Sequence, residues 1–271
     1  MFGILRQSAD QVTHSRMLRL HPLPAFEDNY IWTLAAPDGR ALIVDPGDAS
    51  PVLAAAAEGL RPVAILLTHH HPDHAGGVAE LRRRFDIPCF APHDARVPDQ
   101  CDRVGDGDRV AITALGLEFD VIALPGHTLS HIAFHGHGYL FCGDTLFSLG
   151  CGRMFEGTAR QMLGSLDRLA ALPDDILVCC GHEYTLSNGR FSQVAEPDNP
   201  RRDLRLQEAT RLRASGLPSV PSTMASERAC NPFLRVDQPG ILRTLQAQGL
   251  ATEDREQSFA ALRAWKDGFR A

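Results

Sequence analysis

The chain has 271 residues, of which 44% are hydrophobic and 22% charged, and its net charge is −6. That length and balance describe one large globular domain, or one with a smaller companion, holding enough apolar residue for a core. They exclude an overall basic nucleic-acid binder, and no apolar run approaches the ~20 residues of a membrane span.

Residues 1–16, MFGILRQSADQVTHSR, lack the apolar stretch of about 7–15 residues found in a secretory signal. With only Arg6 and Arg16 as bases, and Asp10 between them, they also make a poor transit peptide. A disordered extension is expected there, with the fold starting at Met17. Short apolar runs then follow, each bounded by Gly, Pro or polar residues. RALIVDPGD ends at Asp45, PVAILLTHHH at His69, LEFDVIALPGHT at His127, GYLFCGDT at Asp144 and DILVCCGHEYT at His182. Length and β-branched content make each a buried strand. Between them lie helical patterns. SPVLAAAAEGL has Ser50 as N-cap, Pro51 at N1 and Gly59 as stop; GGVAELRRRF begins directly after His74; TARQMLGSLDRLAAL starts from Thr158 as N-cap. After about Tyr184 the sequence turns helical and rich in Arg, Glu, Leu and Ala, with no strong strand signal. The seven cysteines show no C-x-x-C spacing, so they read as small buried hydrophobes in a reducing cytoplasm rather than a disulfide framework or a Cys-type zinc site.

Every strand run delivers an unusual polar residue at its C-terminal end, where a sheet holds loop bases rigid. LLTHHHPDHAGG concentrates four histidines and an aspartate. At an extended strand end, His69 and His71 point the same way, and His70 the other. A turn at Pro72 carries Asp73 and His74 toward a neighbouring point. A zinc ion wants about four ligands, so other strand ends must contribute. We expect His69, His71 and His127 to hold one metal, and Asp73, His74 and His182 a second. Asp144 bridges them through its two oxygens. His70 receives no ligand role. Two metals about 3.5–4 Å apart can share a water and lower its pKa to roughly 7. Hydroxide then attacks an acyl carbon whose oxyanion a metal stabilises. No Ser or Cys nucleophile is needed, and no G-x-S-x-G elbow is present. Asp73 or Asp144 is the candidate proton shuttle.

THHHPDH, followed by His127, Asp144 and His182, resembles the metallo-β-lactamase superfamily. The resemblance implies an α+β fold of the αβ/βα sandwich type: two mixed sheets face to face, helices outside, metals at one edge. VDPGD is similar to that superfamily's first motif, which implies that Asp45 orients a ligand rather than binding metal. Four further stretches are GDTLFSLGCGRMFEGTARQM (Gly143–Met162), CGHEYTLSN, ERACNPFLR (Glu227–Arg235) and LRAWKDGFR (Leu262–Arg270). Together they resemble the glyoxalase II family, the hydroxyacylglutathione hydrolases, from Met17 to the C-terminus. That implies a catalytic domain over residues 17–182 and a helical substrate-binding domain over 183–271. It also implies a glutathione site at Arg153, Phe155, Tyr184, Arg263 and Lys266. Arg and Lys suit a glycine carboxylate, and Arg263 and Lys266 share a helix face. Eukaryotic-type members often carry Lys and Tyr where this chain has Arg153 and Phe155, so one hydroxyl is missing.

The implied reaction converts S-2-hydroxyacylglutathione, such as S-lactoylglutathione, to glutathione and a 2-hydroxy acid (lactate), the second step of methylglyoxal detoxification. The implied cofactors are two divalent ions, zinc ahead of iron or manganese. A cytoplasmic monomer without nucleic-acid or membrane partners is expected. The chief rival is a mononuclear iron persulfide dioxygenase of the same superfamily, with a two-His-one-carboxylate site. A nucleic-acid-processing member would want a basic exosite, and a β-lactamase would be exported.

Overall fold

The structure is a computed structural model that describes residues 18–270; the extension expected over 1–16 lies outside them. Two six-stranded sheets form its centre. In the first, β1 (Arg19–Ala25), β2 (Asn29–Ala35), β3 (Arg40–Val44), β4 (Arg61–Leu66), β5 (Cys89–Pro92) and β6 (Asp102–Val104) lie side by side in chain order. β1 and β2 form an antiparallel hairpin closed at Ala25 and Asn29. From β3 onward the strands run parallel. The crossovers are α1 (Ser50–Ala57), then the single turn α2 (Pro72–Ala75) with α3 (Val78–Phe85).

The second sheet contains β7 (Arg109–Ile112), β8 (Leu117–Ala123), β9 (Ile132–Gly136) and β10 (Tyr139–Gly143). The two-residue strands β11 (Leu146–Phe147) and β12 (Gly150–Cys151) and helix α4 (Ala159–Ala170) follow, before β13 (Leu177–Cys180) returns parallel to β10. The remaining chain builds α5 (Thr185–Ala195), α6 (Pro200–Ala214), α7 (Met224–Cys230), α8 (Pro239–Ala247) and α9 (Arg255–Gly268). This part is not purely helical. Ser222 and Thr223 form β14, which pairs antiparallel with β13. Two residues carry too little pattern to be read as a strand.

Strand periodicity explains the apolar runs. In β3, Leu42 and Val44 face a core shared with the second sheet, while Ala41 and Ile43 face α1 and α3 on the other side. A strand buried on both faces reads as a continuous apolar run. Trp32 and Leu34 of β2 meet Phe119, Val121 and Phe134 of the second sheet in the larger core. All seven cysteines are buried and free, as expected of small core residues.

Helix ends follow local chemistry with one departure. Thr158 caps α4 through a reciprocal capping box with Gln161. Ser50 is not the N-cap of α1: it is the first helical residue, and the Asp48 carboxylate accepts its N–H at 2.8 Å. Ala49 is the N-cap and makes no side-chain cap bond, so Asp48 satisfies the first orphan donor of the helix instead. Gly59, just beyond α1, adopts φ +109°, a conformation open to glycine.

Candidate metal centre and adjoining pocket

The strand ends converge. Two residues past β4 stands Thr68, and His69 follows it, fully buried. Asp45, at the end of β3, accepts the Thr68 N–H at 2.8 Å and its hydroxyl at 2.7 Å. That hydroxyl, having donated its proton, is left to accept from His69 Nδ1 at 3.0 Å. His69 Nε2 therefore presents a lone pair inward. The same logic fixes three other rings. His74 Nδ1 donates to Asp45 Oδ2 at 3.1 Å, His127 Nδ1 to the Arg153 carbonyl at 2.8 Å, and His182 Nδ1 to Asp28 Oδ1 at 2.7 Å. Each outer acceptor has no proton of its own, so each ring, when neutral, carries its lone pair on the inward nitrogen.

The inward nitrogens crowd into two groups. His71 Nδ1 lies 3.2 Å from His69 Nε2 and 3.0 Å from His127 Nε2. His182 Nε2 lies 3.3 Å from His74 Nε2 and 3.4 Å from Asp73 Oδ2. Asp144 stands between the groups. Its Oδ2 is 3.5 Å from His127 Nε2 and 3.3 Å from His182 Nε2, and its Oδ1 is 3.3 Å from His74 Nε2. Asp144 Oδ1 is buried without a hydrogen-bond partner.

These residues fit a pair of metal ions. A tetrahedron with bonds of about 2.0–2.1 Å has edges of roughly 3.3–3.4 Å, close to the spacings between the donor atoms. Imidazole nitrogens facing one another around a buried carboxylate oxygen without a hydrogen-bond partner are the polarity a cation answers. His69, His71 and His127 are one group whose ligand atoms lie close enough to hold an ion, and Asp73, His74 and His182 are another. Asp45 also falls near His69 and His74, but its oxygens are spent on Thr68 and on the outer nitrogen of His74. It braces His74 directly and His69 through Thr68.

The two groups differ electrostatically. Burial pushes the His71 imidazole down to about 4, with His127 adding to the effect. Burial likewise keeps His69 neutral. At His182 burial lowers the value, but Asp144 and Asp73 outweigh it and push the ring up to about 10. The second group therefore sits in the stronger negative field.

His70 points away, as its alternation predicts. Its ring nitrogens lie 3.5 Å from Asp94 and 3.7 Å from Glu156. Sequence reasoning missed three supports. Asp28 braces His182. Asn29 Nδ2 donates to Asp73 Oδ2 at 3.1 Å. His131, fully buried, stacks on His69 with centroids 4.8 Å apart and lies beside the Asp144 amide. Asp28 and Asn29 sit in FEDNYIW, where three polar residues mark the turn between β1 and β2 but do not show which side chains they hold.

A cavity of about 420 Å³ opens beside His127 and Asp144. All five residues expected to hold glutathione line it: Arg153, Phe155, Tyr184, Arg263 and Lys266. Phe147, Cys151, Ser187 and Asn188 complete the wall. Tyr184 stacks on His182 at 4.7 Å, and Phe155, largely exposed, meets His127 edge-on at 5.2 Å. Arg263 is buried and partly committed. It donates to the Cys151 carbonyl at 2.9 Å and to Asp267 at 3.0 Å. Burial lowers the Lys266 ammonium, and the nearby Arg263 and Arg153 lower it further. The motif ERACNPFLR supports this wall from behind. Buried Asn231 donates to the Phe147 and Gly150 carbonyls at 3.0 and 2.8 Å, and Glu227 accepts from the Leu149 amide at 2.9 Å.

Residues 29–182 match the model of the metallo-beta-lactamase superfamily, and residues 183–269 match that of the hydroxyacylglutathione hydrolase C-terminus. The chain is 56% identical over 257 residues to a hydroxyacylglutathione hydrolase of Xanthomonas axonopodis pv. citri (strain 306), covering 94% of this chain and 100% of that protein. Among solved structures it is similar to ETHE1 from Myxococcus xanthus, with a TM-score of 0.60 at 24% identity, covering 92% of this chain and 97% of that one. That likeness bears on the fold alone. It is also similar to TTHA1623 in a di-iron-bound form, with a TM-score of 0.56 at 26% identity, covering 80% of this chain and 100% of that one. With the sandwich, the paired ligand groups and the helical part all present in one chain, this protein belongs to the hydroxyacylglutathione hydrolase (glyoxalase II) family of the metallo-β-lactamase superfamily.

Proposed function

We propose that the chain is a metal-dependent thioester hydrolase acting on S-2-hydroxyacylglutathione, of which S-lactoylglutathione is the prototype. The observation that carries the reading is the meeting of two features in one cavity. Three cationic side chains, Arg153, Arg263 and Lys266, line it together with His127 and Asp144 of the ligand groups. Burial lowers Lys266 first and the two arginines lower it further, and an anion entering there offsets both effects. Glutathione brings carboxylates to the cations while its thioester reaches the metal edge. The Xanthomonas relative's name, hydroxyacylglutathione hydrolase, supports the same substrate class.

His69, His71 and His127 would hold one ion, Asp73, His74 and His182 the other, and Asp144 would touch both. The donor set suits zinc, which we propose as the resident metal, and TTHA1623 in its di-iron form supports the two-ion count. When bound, the pair supplies Lewis acidity toward the acyl carbonyl and acidifies water to a pKa near about 7. The chain's own contribution is positioning. Asp45, Asp28 and the Arg153 carbonyl lock three rings. Asp144 is buried and shared between the groups. The Asp73 side chain is 42% exposed, which makes it the more solvent-accessible of the two carboxylates. Phe155 and Tyr184 flank the ligands and confine the thioester.

We infer a division at residues 182 and 183, supported by the meeting of the two family matches there. A cytoplasmic home is supported by seven buried free cysteines. Among the described residues no helix is long and apolar enough to cross a membrane. A single-iron dioxygenase would use two histidines and one carboxylate, and the second complete ligand group weighs against it. The test compares S-D-lactoylglutathione with S-lactoyl-cysteamine, a thioester lacking both carboxylates. Preferential turnover of the first is expected. Equal kcat/KM for the two would remove the glutathione subsite from the account.

A further inference from the structure

We propose that Asp28 and Asn29, at the tip of the β1–β2 hairpin, are positioning residues that set the affinity of the second metal position and leave the first unchanged. The proposal rests on the two-metal reading above.

Asp45 reaches both ligand groups, His69 through Thr68 and His74 directly; their other braces come from different parts of the chain. In the first, His69 is held by Thr68, its neighbour in sequence, and His127 by the Arg153 carbonyl. In the second, two of the three unshared ligands are held by consecutive residues of one hairpin. Asn29 Nδ2 donates to Asp73 Oδ2 at 3.1 Å and to the Asp73 carbonyl at 3.2 Å. Asp28 Oδ1 accepts from His182 Nδ1 at 2.7 Å. The hairpin is in turn fastened to the segment that bears His182. The Tyr30 amide donates to the Gly181 carbonyl, the Glu183 amide to the Asp28 carbonyl, and the Trp32 indole to the Cys180 carbonyl, each at 2.8 Å. Asn29 also forms an isolated antiparallel bridge with His182.

The chemistry of the two contacts differs. A carboxylate on Nδ1 fixes the His182 ring and raises the basicity of its Nε2. An amide on Oδ2 fixes the Asp73 rotamer, and the second bond, to the Asp73 carbonyl, ties down the α2 turn beneath it. Loss of such an outer partner typically costs about 10–100-fold in metal affinity. His74, the third ligand of this group, has Asp45 as its own support, so the position is weakened rather than abolished. The Asp28 side chain is 37% exposed at a turn, and its replacement removes little packing.

The test measures stepwise zinc affinities by competition with a chromophoric chelator. Wild type is compared with Asp28→Ala, Asp28→Asn and Asn29→Ala, and His71→Ala marks the first position. Thermal unfolding of each metal-free protein checks the fold. Wild type should show two constants. Asp28→Ala and Asn29→Ala should each lower one constant by about 10–100-fold and leave the other unchanged, while His71→Ala lowers that other one. Asp28→Asn should fall between, because its oxygen still accepts from His182 without the charge. A parallel fall of both constants in the two alanine variants, or a fall of neither, overturns the proposal. Wild type binding fewer than two zinc ions overturns the two-metal reading, and the proposal with it.

Discussion

Replacing Gly181 with alanine places a methyl group inside the metal edge. Gly181 lies between Cys180 and His182, and its φ is outside the left-handed region, so any effect is steric rather than conformational. An ideal Cβ there would lie 2.5 Å from His74 Cε1 and 2.6 Å from Asp144 Oδ1. Restoring ordinary contact near 3.4 Å requires a displacement of roughly 0.9 Å. Coordination distances tolerate only about ±0.2 Å, so His74 and Asp144 cannot both keep their positions. Neither has room to give: His74 is pinned by Asp45 and Asp144 is buried. Overpacking of this kind costs about 1–3 kcal/mol, equivalent to roughly a 5- to 150-fold loss of affinity at about 1.4 kcal/mol per decade. Because Asp144 touches both groups, both zinc constants should fall, unlike the selective effect expected at Asp28. Competition with a chelator measures this, with turnover of S-D-lactoylglutathione in parallel. A Gly181→Ala protein with wild-type zinc affinity and wild-type kcat would refute the assignment of His74 and Asp144 as ligands.

Other substitutions separate binding from chemistry. Lys266→Ala should raise KM roughly 10- to 150-fold, the range for a charge-assisted hydrogen bond of about 1.5–3 kcal/mol, with kcat near wild type as for lost uniform binding; a fall in kcat alone would put Lys266 outside the glutathione subsite. Phe155→Tyr restores a hydroxyl at the pocket mouth and should lower KM by about 2- to 12-fold, the worth of one neutral hydrogen bond at about 0.5–1.5 kcal/mol; an unchanged or higher KM would mean that no substrate group stands within reach. Asp144→Ala should abolish nearly all turnover and reduce bound metal, whereas His70→Ala, whose ring faces Asp94 and Glu156, should keep most of both. Equal loss in these two proteins would mean that the cluster is misassigned.

The ligand groups were legible because metal chemistry uses few residue types and strand ends present them at readable intervals. His69, Asp144 and His182 each close an apolar run, and alternation alone turns His70 outward. The partners that brace the ligands were less legible. Asp28 and Asn29 lie 154 and 44 residues from the side chains they hold, and no local periodicity encodes a contact at that range. Thr68 and Asp45 form a similar long-range pair. α1 begins one residue earlier than a Ser50 cap requires, with Ala49 at the N-cap and Asp48 accepting the Ser50 N–H, and only backbone geometry decides between these starts. β14 escaped notice because two residues cannot establish a period. The helical part's role is partly structural: Asn231 and Glu227 hold the β11–β12 loop, and Arg263 spends its guanidinium on Cys151 and Asp267 as well as facing the cavity.

One measurement tests the central claim most directly: hydrolysis of S-D-lactoylglutathione by the purified protein, followed spectrophotometrically, with elemental analysis of the same sample and an oxygen electrode in the cell. The account predicts thioester loss with equal release of thiol, about two metal ions per chain to fill the two ligand groups, and no oxygen uptake. An intact thioester with two metals bound would contradict the substrate reading, and a single iron with oxygen consumption would contradict the hydrolase.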